Sequence, residues 1–234
     1  MGATYLTSQE FLPVTDDGFE GPIGISTGFP FGGSIQTQVF VGTNGLISFG
    51  TGYNSFSNQA FPGNAAIQDR YLVAPFWDDV DIRFDTGDIS YEIHESGYFL
   101  DQVNNFIRRS RPTDFVGTWM MVVYYDKVHP YFGLFNSEEN TFQAILITDG
   151  SYSYTIFTYQ CGLMEWDNGA TIGFNAAGEM FANHNPSSSD VACLNSPDSA
   201  WSNVIYRLSN GTSELPPPIL YTYLSFFPTA MWSI

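Results

Sequence analysis

Cations are scarce in this 234-residue chain: Lys127 is the one lysine, and six arginines complete the positive set against 24 Asp and Glu. The formal net charge is −17. Such a balance repels a phosphate backbone and an anionic membrane surface, which excludes nucleic acid as a partner. Cationic protein segments or divalent ions suit it better. Charged residues of both signs make up only 13% of the chain, about half the usual share. Polarity rests instead on Ser, Thr, Asn and Gln, as in secreted β proteins.

Cysteine is scarce too. Cys161 and Cys193 are the pair, neither lies in a CxxC, and no nearby histidine completes a zinc set. Two cysteines are compatible with one disulfide in an oxidising compartment or with two buried thiols in a reducing one. A bridge would close a loop of about 30 residues and contribute ~3 kcal/mol on the chain-entropy model. The N-terminal GATYLTSQE lacks the basic start and apolar core of a signal peptide. Leu6 stands where a myristoylation site needs Ser or Thr. No apolar run is long enough to cross a bilayer comfortably; Ile219 to Trp232 is too short and Pro228 interrupts it.

Catalytic signatures are missing as well. The chain has no G-x-S-x-G elbow, no P-loop, no H-E-x-x-H and no G-x-G-x-x-G after a strand. His94 falls on a strand pattern, and His129 and His184 fall in turn-like stretches, which suits structural or surface roles better than catalysis. Paired carboxylates of the kind a glycosidase uses carry no signal in so acidic a chain.

What is present is aromatic and strand-forming. Phe and Tyr number 21 and 14, enough for one sizeable core. Residues 1–38 show little periodicity and read as an irregular lead-in to a single domain over 39–209. Gln38 to Val41 and Leu46 to Phe49 are short apolar runs separated by Thr43-Asn44-Gly45, and Asn-Gly supplies the positive φ of a tight hairpin. Val80, Ile82 and Phe84 alternate with Asp79, Asp81 and Arg83, and the chain returns through Ile89, Tyr91 and Ile93. One helix is predicted over about 98–109, with Phe99, Val103, Phe106 and Ile107 at helical spacing, Arg108 and Arg109 in its last turn, and Pro112 beyond. Further strands are predicted over 115–128, 141–148, 153–159, 170–175 and 203–208. Thr141 to Thr148 is apolar on both faces, which marks a central strand, and Asp149-Gly150 turns it back. The fold class is mainly β: an antiparallel sandwich or jelly roll with one short helix.

Asp78, Asp79 and Asp81 put three carboxylates within four positions, candidates for part of a calcium shell of hard oxygens. The plainer reading pairs Arg83 with a carboxylate and gives the other acids backbone N–H groups to accept. Asn210-Gly211-Thr212 is the acceptable glycosylation sequon. Residues 210–234 (Pro-rich, then apolar) read as a linker stub or a non-native terminus.

VGTNGLISFG, APFWDDVDIR (74–83), NTFQAILITDGSYSYTIFTY (140–159), Glu165-Trp166, ATIGFNAAG (170–178) and VIYRLS occur in this order. Their order and spacing resemble the NIDO domain, the extracellular module of nidogen, alpha-tectorin and certain membrane-bound mucins and sushi/EGF proteins. Asn44, Gly45, Trp77, Asp79, Asp81, Arg83, Asp149 and Gly150 lie in the stretches that carry the likeness. The resemblance implies a non-enzymatic extracellular domain of cell–matrix adhesion or matrix assembly. It implies matrix or cell-surface protein partners, no cofactor, and further modules in a larger parent, which would hold the signal peptide this chain does not show. The apolar tail departs from the EGF-like, sushi or von Willebrand modules that usually follow. A carbohydrate-binding sandwich is the second expectation, with Trp77 and Trp166 as rings for sugars to stack on, and a carboxylate-pair hydrolase is a distant third.

Overall fold

The computed structural model describes residues 8–83, 87–110, 114–131, 138–184 and 201–209. Among them, thirteen strands and one helix build two antiparallel sheets. The larger sheet runs β1 (Glu10–Phe11), β7 (Asp88–His94), β8 (Trp119–Pro130), β9 (Asn140–Thr148), β10 (Ser153–Met164) and β13 (Trp201–Arg207). A two-residue strand, β6 (Val80–Asp81), joins it at the far end of β8. The smaller sheet runs β12 (Met180–His184), β11 (Thr171–Ala176), β5 (Tyr71–Trp77), β4 (Ile47–Phe49), β3 (Ser34–Gly42) and β2 (Phe19–Phe31). The fold is the β-sandwich with one helix that the sequence predicts.

β9 shows why the sheets face each other. It lies between β8 and β10 and is buried along its whole length. Phe142, Ala144 and Leu146 enter the core between the sheets, while Ile145 and Ile147 on the opposite face pack under the helix. A strand apolar on both faces has no solvent side to satisfy, so it takes the middle of a sheet covered twice. Asp149 shapes the turn that follows: its carboxylate accepts the Ser151 and Tyr152 N–H groups at 2.8 and 2.6 Å, and Gly150 takes φ 86°.

Between the sheets, rings interlock. Tyr125 and Phe142 stack at 4.5 Å, and Phe76 meets Phe142 and Trp166 at 5.6 and 5.5 Å. Two tyrosines of the larger sheet reach across it. The Tyr125 hydroxyl donates to the Gly42 carbonyl at 3.0 Å, and the Tyr159 hydroxyl donates to the Pro75 carbonyl. A buried phenol needs such a partner, because an unmade hydrogen bond in the interior costs about 1–3 kcal/mol. Burial holds both hydroxyls protonated, well above the usual tyrosine range.

The helix α1 (Tyr98–Ser110) lies on the outer face of the larger sheet. Leu100, Val103, Phe106 and Ile107 form its buried stripe, and Phe99 stacks on His94 where it starts. Asn104 ties it down by exchanging two hydrogen bonds with the Gly117 backbone, at 3.1 and 2.7 Å.

Two local expectations are corrected. Residues 19–31, read as irregular, form the 13-residue edge strand β2. Its pattern is hidden because two register shifts and Pro22 break the alternation, devices that also blunt an edge. The stretch from Val80 was predicted to pair with its own return strand. Instead β6 and β7 lie end to end along β8, opposite residues 129–130 and 120–126. The strand is cut short because the Asp81 side chain accepts the Arg83 N–H at 3.0 Å and turns the chain; Phe84 lies outside the described residues.

Gln143 sits on β9 between Tyr124 and Thr158, fully buried, and neither atom of its amide has a partner among the described residues. Replacing an unpaired buried amide by an apolar group of similar shape removes a desolvation cost. Gln143→Met is expected to stabilise the domain by about 1 kcal/mol, seen as a rise of roughly 2–4 °C in Tm for a domain of this size. A drop in Tm instead would mean the amide is paired, through a buried water.

Candidate functional site

The aspartates gather at one end of the sandwich, and a buried asparagine organises them. Asn44 lies in the β3–β4 turn and is wholly buried. Its Nδ2 donates to Asp17 Oδ1 at 2.7 Å, and its Oδ1 accepts the Val80 N–H at 2.9 Å. Its backbone carbonyl takes the Asp78 N–H at 3.2 Å, and its own N–H reaches Asn54 Oδ1 at 3.2 Å. One residue thus joins the segment before β2, the loop between β5 and β6, and the loop after β4. Thr43 adds to the tie, its hydroxyl accepting from the Gly18 N–H and from Asn54 Nδ2, both at 3.1 Å. Gly45 is required where it stands: at φ 67°, a Cβ there would lie 1.8 Å from the Phe76 carbonyl oxygen. The Asn-Gly signal therefore marks a hairpin, but only Gly45 of the pair has positive φ; the asparagine serves through its side chain.

Asp78, Asp79 and Asp81 separate into three roles. Asp78 is buried and accepts the Asp79 N–H and the Asn168 N–H, both at 2.9 Å, which fixes the loop between β10 and β11. Burial raises its pKa, and those two N–H groups partly offset the rise. Asp81 holds Arg83 in a two-pronged contact, Nε to Oδ1 at 2.9 Å and Nη2 to Oδ2 at 2.7 Å. The paired guanidinium keeps the Asp81 carboxyl below the usual range. Arg83 also reaches Asp16 at 2.9 Å and lies over the Tyr131 ring at 5.9 Å. Only Asp79 of the three joins an open acidic group. Its ligand-type oxygens lie within 4.8 Å of those of Asp16 and Asp17.

The calcium candidates are thus not brought together as a set. Asp78 and Asp81 are engaged by the protein, and Asp79 is grouped with two acids the sequence reading did not select. Asp16 and Asp17 were missed because the segment before β2 shows no periodicity; the Asp-Asp-Gly turn just before an apolar run was the available signal. The group's chemistry is like-charge crowding. Burial first, and then Asp17, Asp16, Asp78 and Asp81, push Asp79 up to about 6.

The other candidates scatter. Trp77 stacks with Phe61 beneath the 50–70 loop, its Nε1 donating to the Ser55 carbonyl, and Trp166 lies in the core, its Nε1 donating to the Val128 carbonyl. Both are buried, so neither offers a ring face to a sugar. Asn140, also buried, ties β9 to Glu165 and Trp166 through both ends of its amide. His94 contacts Glu92 at 3.0 Å; His129 and His184 lie on β8 and β12 rather than in turns, His129 3.9 Å from Glu139 and His184 with no hydrogen-bond partner for its buried Nε2 among the described residues. Cys161 is disulfide-bonded at the irregular end of β10; Cys193 and Asn210 lie outside the described residues. No helix among the described residues is long and apolar enough to cross a membrane.

Residues 37–213 match the family model described as nidogen-like domain, NIDO. Human mucin-4 is 34% identical over 173 residues, covering 68% of this chain and 3% of the relative. Chicken alpha-tectorin is 36% identical over 165 residues, covering 69% and 7%. Drosophila nidogen is 29% identical over 153 residues, covering 61% and 10%. The chain spans a small fraction of the length of these relatives. No solved structure matches it significantly.

The crowding at Asp79 has a pH signature. The folded state holds the Asp79 proton up to about pH 6, while an unperturbed carboxyl releases it near 3.8. Folding therefore takes up a proton between those values, and stability falls as pH rises through that window. Asp79→Asn is expected to flatten that fall and to raise stability at neutral pH by at most about 1 kcal/mol, since the group is partly exposed and screened. Thermal melts of both proteins across the window, at low and high salt, measure it. A variant less stable than wild type at neutral pH would contradict the crowding.

Proposed function

Because this chain belongs to the nidogen-like domain family, an extracellular-matrix-associated module, we propose that it works without catalysis, in cell–matrix adhesion or matrix assembly through protein–protein contacts. The observation that carries the reading is the acidic end built on Asn44. Asn44 holds the Asp17 carboxylate, Arg83 holds Asp16, and Asp78 and Tyr131 hold the Asp79 backbone before any partner arrives, so little ordering cost falls on binding. Prearranged charge of one sign steers a complementary partner and fixes its register. The partner that fits is a basic segment of a matrix or cell-surface protein.

An extracellular setting agrees with the net charge of −17 and with a disulfide at Cys161. A Cys161–Cys193 bridge suits the same compartment. Glycosylation at Asn210 belongs to the same proposal. The carbohydrate reading has lost the two tryptophans that motivated it, and no other observation favours it.

The test is capture of matrix proteins and of cells by the immobilised domain. Binding is expected, weakened by added salt and reduced about tenfold in the Asp16→Asn/Asp79→Asn variant, the effect of losing roughly 1.4 kcal/mol of interaction. Absence of binding above background would defeat the adhesion reading. Binding indifferent to salt and to the double substitution would move the contact away from the acidic end.

A further inference from the structure

Asn-Gly occurs at 44–45, 168–169 and 210–211, and the third pair lies outside the described residues. An asparagine followed by glycine is open to intramolecular attack, because the following backbone nitrogen is unshielded by a side chain and closes a five-membered ring on the asparagine Cγ. The fold treats the first two pairs in opposite ways. Asn44 is fully buried, both ends of its amide are held, and Gly45 abuts the Phe76 carbonyl. Asn168 is exposed in the loop between β10 and β11, and its side-chain amide makes no hydrogen bond among the described residues. Gly169 has φ 94°, with nothing within 4 Å of where a Cβ would stand.

The neighbouring groups supply the chemistry. The attacking nitrogen, Gly169 N, donates its proton to Asp167 Oδ1 at 2.8 Å. The same carboxylate oxygen accepts the Ala170 N–H at 2.8 Å, which fixes its position. Asn58 Nδ2 donates to the Gly169 carbonyl at 2.9 Å, and Asp78 accepts the Asn168 N–H. The peptide unit is thus held at both sides, while the asparagine side chain is left to swing.

We propose that Asn168 is a self-modification site, deamidating in the folded protein with Asp167 as the base. As the Gly169 N–Cγ bond forms, the Gly169 proton passes to Asp167 and on to the departing nitrogen. The Cγ–Nδ2 bond breaks and ammonia leaves, giving a cyclic imide. Water then opens either carbonyl of the imide and yields aspartate or isoaspartate at 168. No oxidant or second protein is needed. The new carboxylate stands beside Asp78 and Asp167, so the acidic end gains charge with age and cannot reverse it. The proposal is independent of what that end binds.

Ageing the purified protein at mildly alkaline pH and body temperature, followed by peptide mass mapping, tests it. Asn168 is expected to convert to the aspartate–isoaspartate pair while Asn44 stays intact, and unfolding in denaturant is expected to let Asn44 convert too. Asp167→Asn keeps an acceptor oxygen but removes the base; it is expected to slow conversion at 168 by about a hundredfold, the low side of what a positioned base contributes. A thermal melt confirms that this variant is folded. An intact Asn168, or an Asn44 that keeps pace with it in the folded protein, would overturn the site. Conversion unchanged or faster in Asp167→Asn would overturn the role of the base.

Discussion

The acidic end depends on one buried amide. Through Asn44 the chain before β2, the loop between β5 and β6, and the β3–β4 turn meet. Each of its four polar atoms is used, and no aspartate or serine could repeat the pattern: the task needs one donor for Asp17 and one acceptor for Val80 in the same planar group. A fully satisfied buried network of this kind fixes geometry more than it adds stability. Around it, Gly45 permits the close approach of the β5 backbone, and Asp78 extends the tie to the loop after β10.

The body of the sandwich has a different logic. Its interior is aromatic, filled by rings from both sheets, with two tyrosine hydroxyls spanning the gap to carbonyls of the opposite sheet. Rings pack with few rotamers and large buried area, so the two sheets are held at a fixed spacing. The end loops can then carry crowded charge. Repulsion among Asp16, Asp17 and Asp79 is tolerated because the packing of the core beneath them, to which Phe76, Val80 and Ile82 belong, outweighs it. Arg83 limits the repulsion by holding Asp81 and reaching Asp16.

Much of the body was legible in the sequence. β9 declared itself central by being apolar on both faces, α1 by its apolar spacing, and the β9–β10 turn by Asp149-Gly150. Each signal is local, and local signals survive into the fold when a face is fully buried. β2 was not legible, because an edge strand with bulges and Pro22 loses its alternation. The pairing of β6 was not legible either, since a choice between two partners is made by long-range geometry. At the acidic end the sequence showed which stretches mattered but not which aspartates meet. Asp16 and Asp79 lie 63 positions apart in the chain, and nothing in either neighbourhood announces the other. Trp77 and Trp166 show the same gap in reverse: residue type suggested a sugar platform, whereas burial gave both rings to packing.

The acidic end is a local unit hung on Asn44. Amide hydrogen exchange on Asn44→Ala measures that directly. Protection is expected to fall together at Gly18, Val80 and Asn168, while the amides of Ile145 and Ile156 in β9 and β10 keep theirs. Equal loss in the core strands, or unchanged protection at Val80 and Asn168, would contradict it.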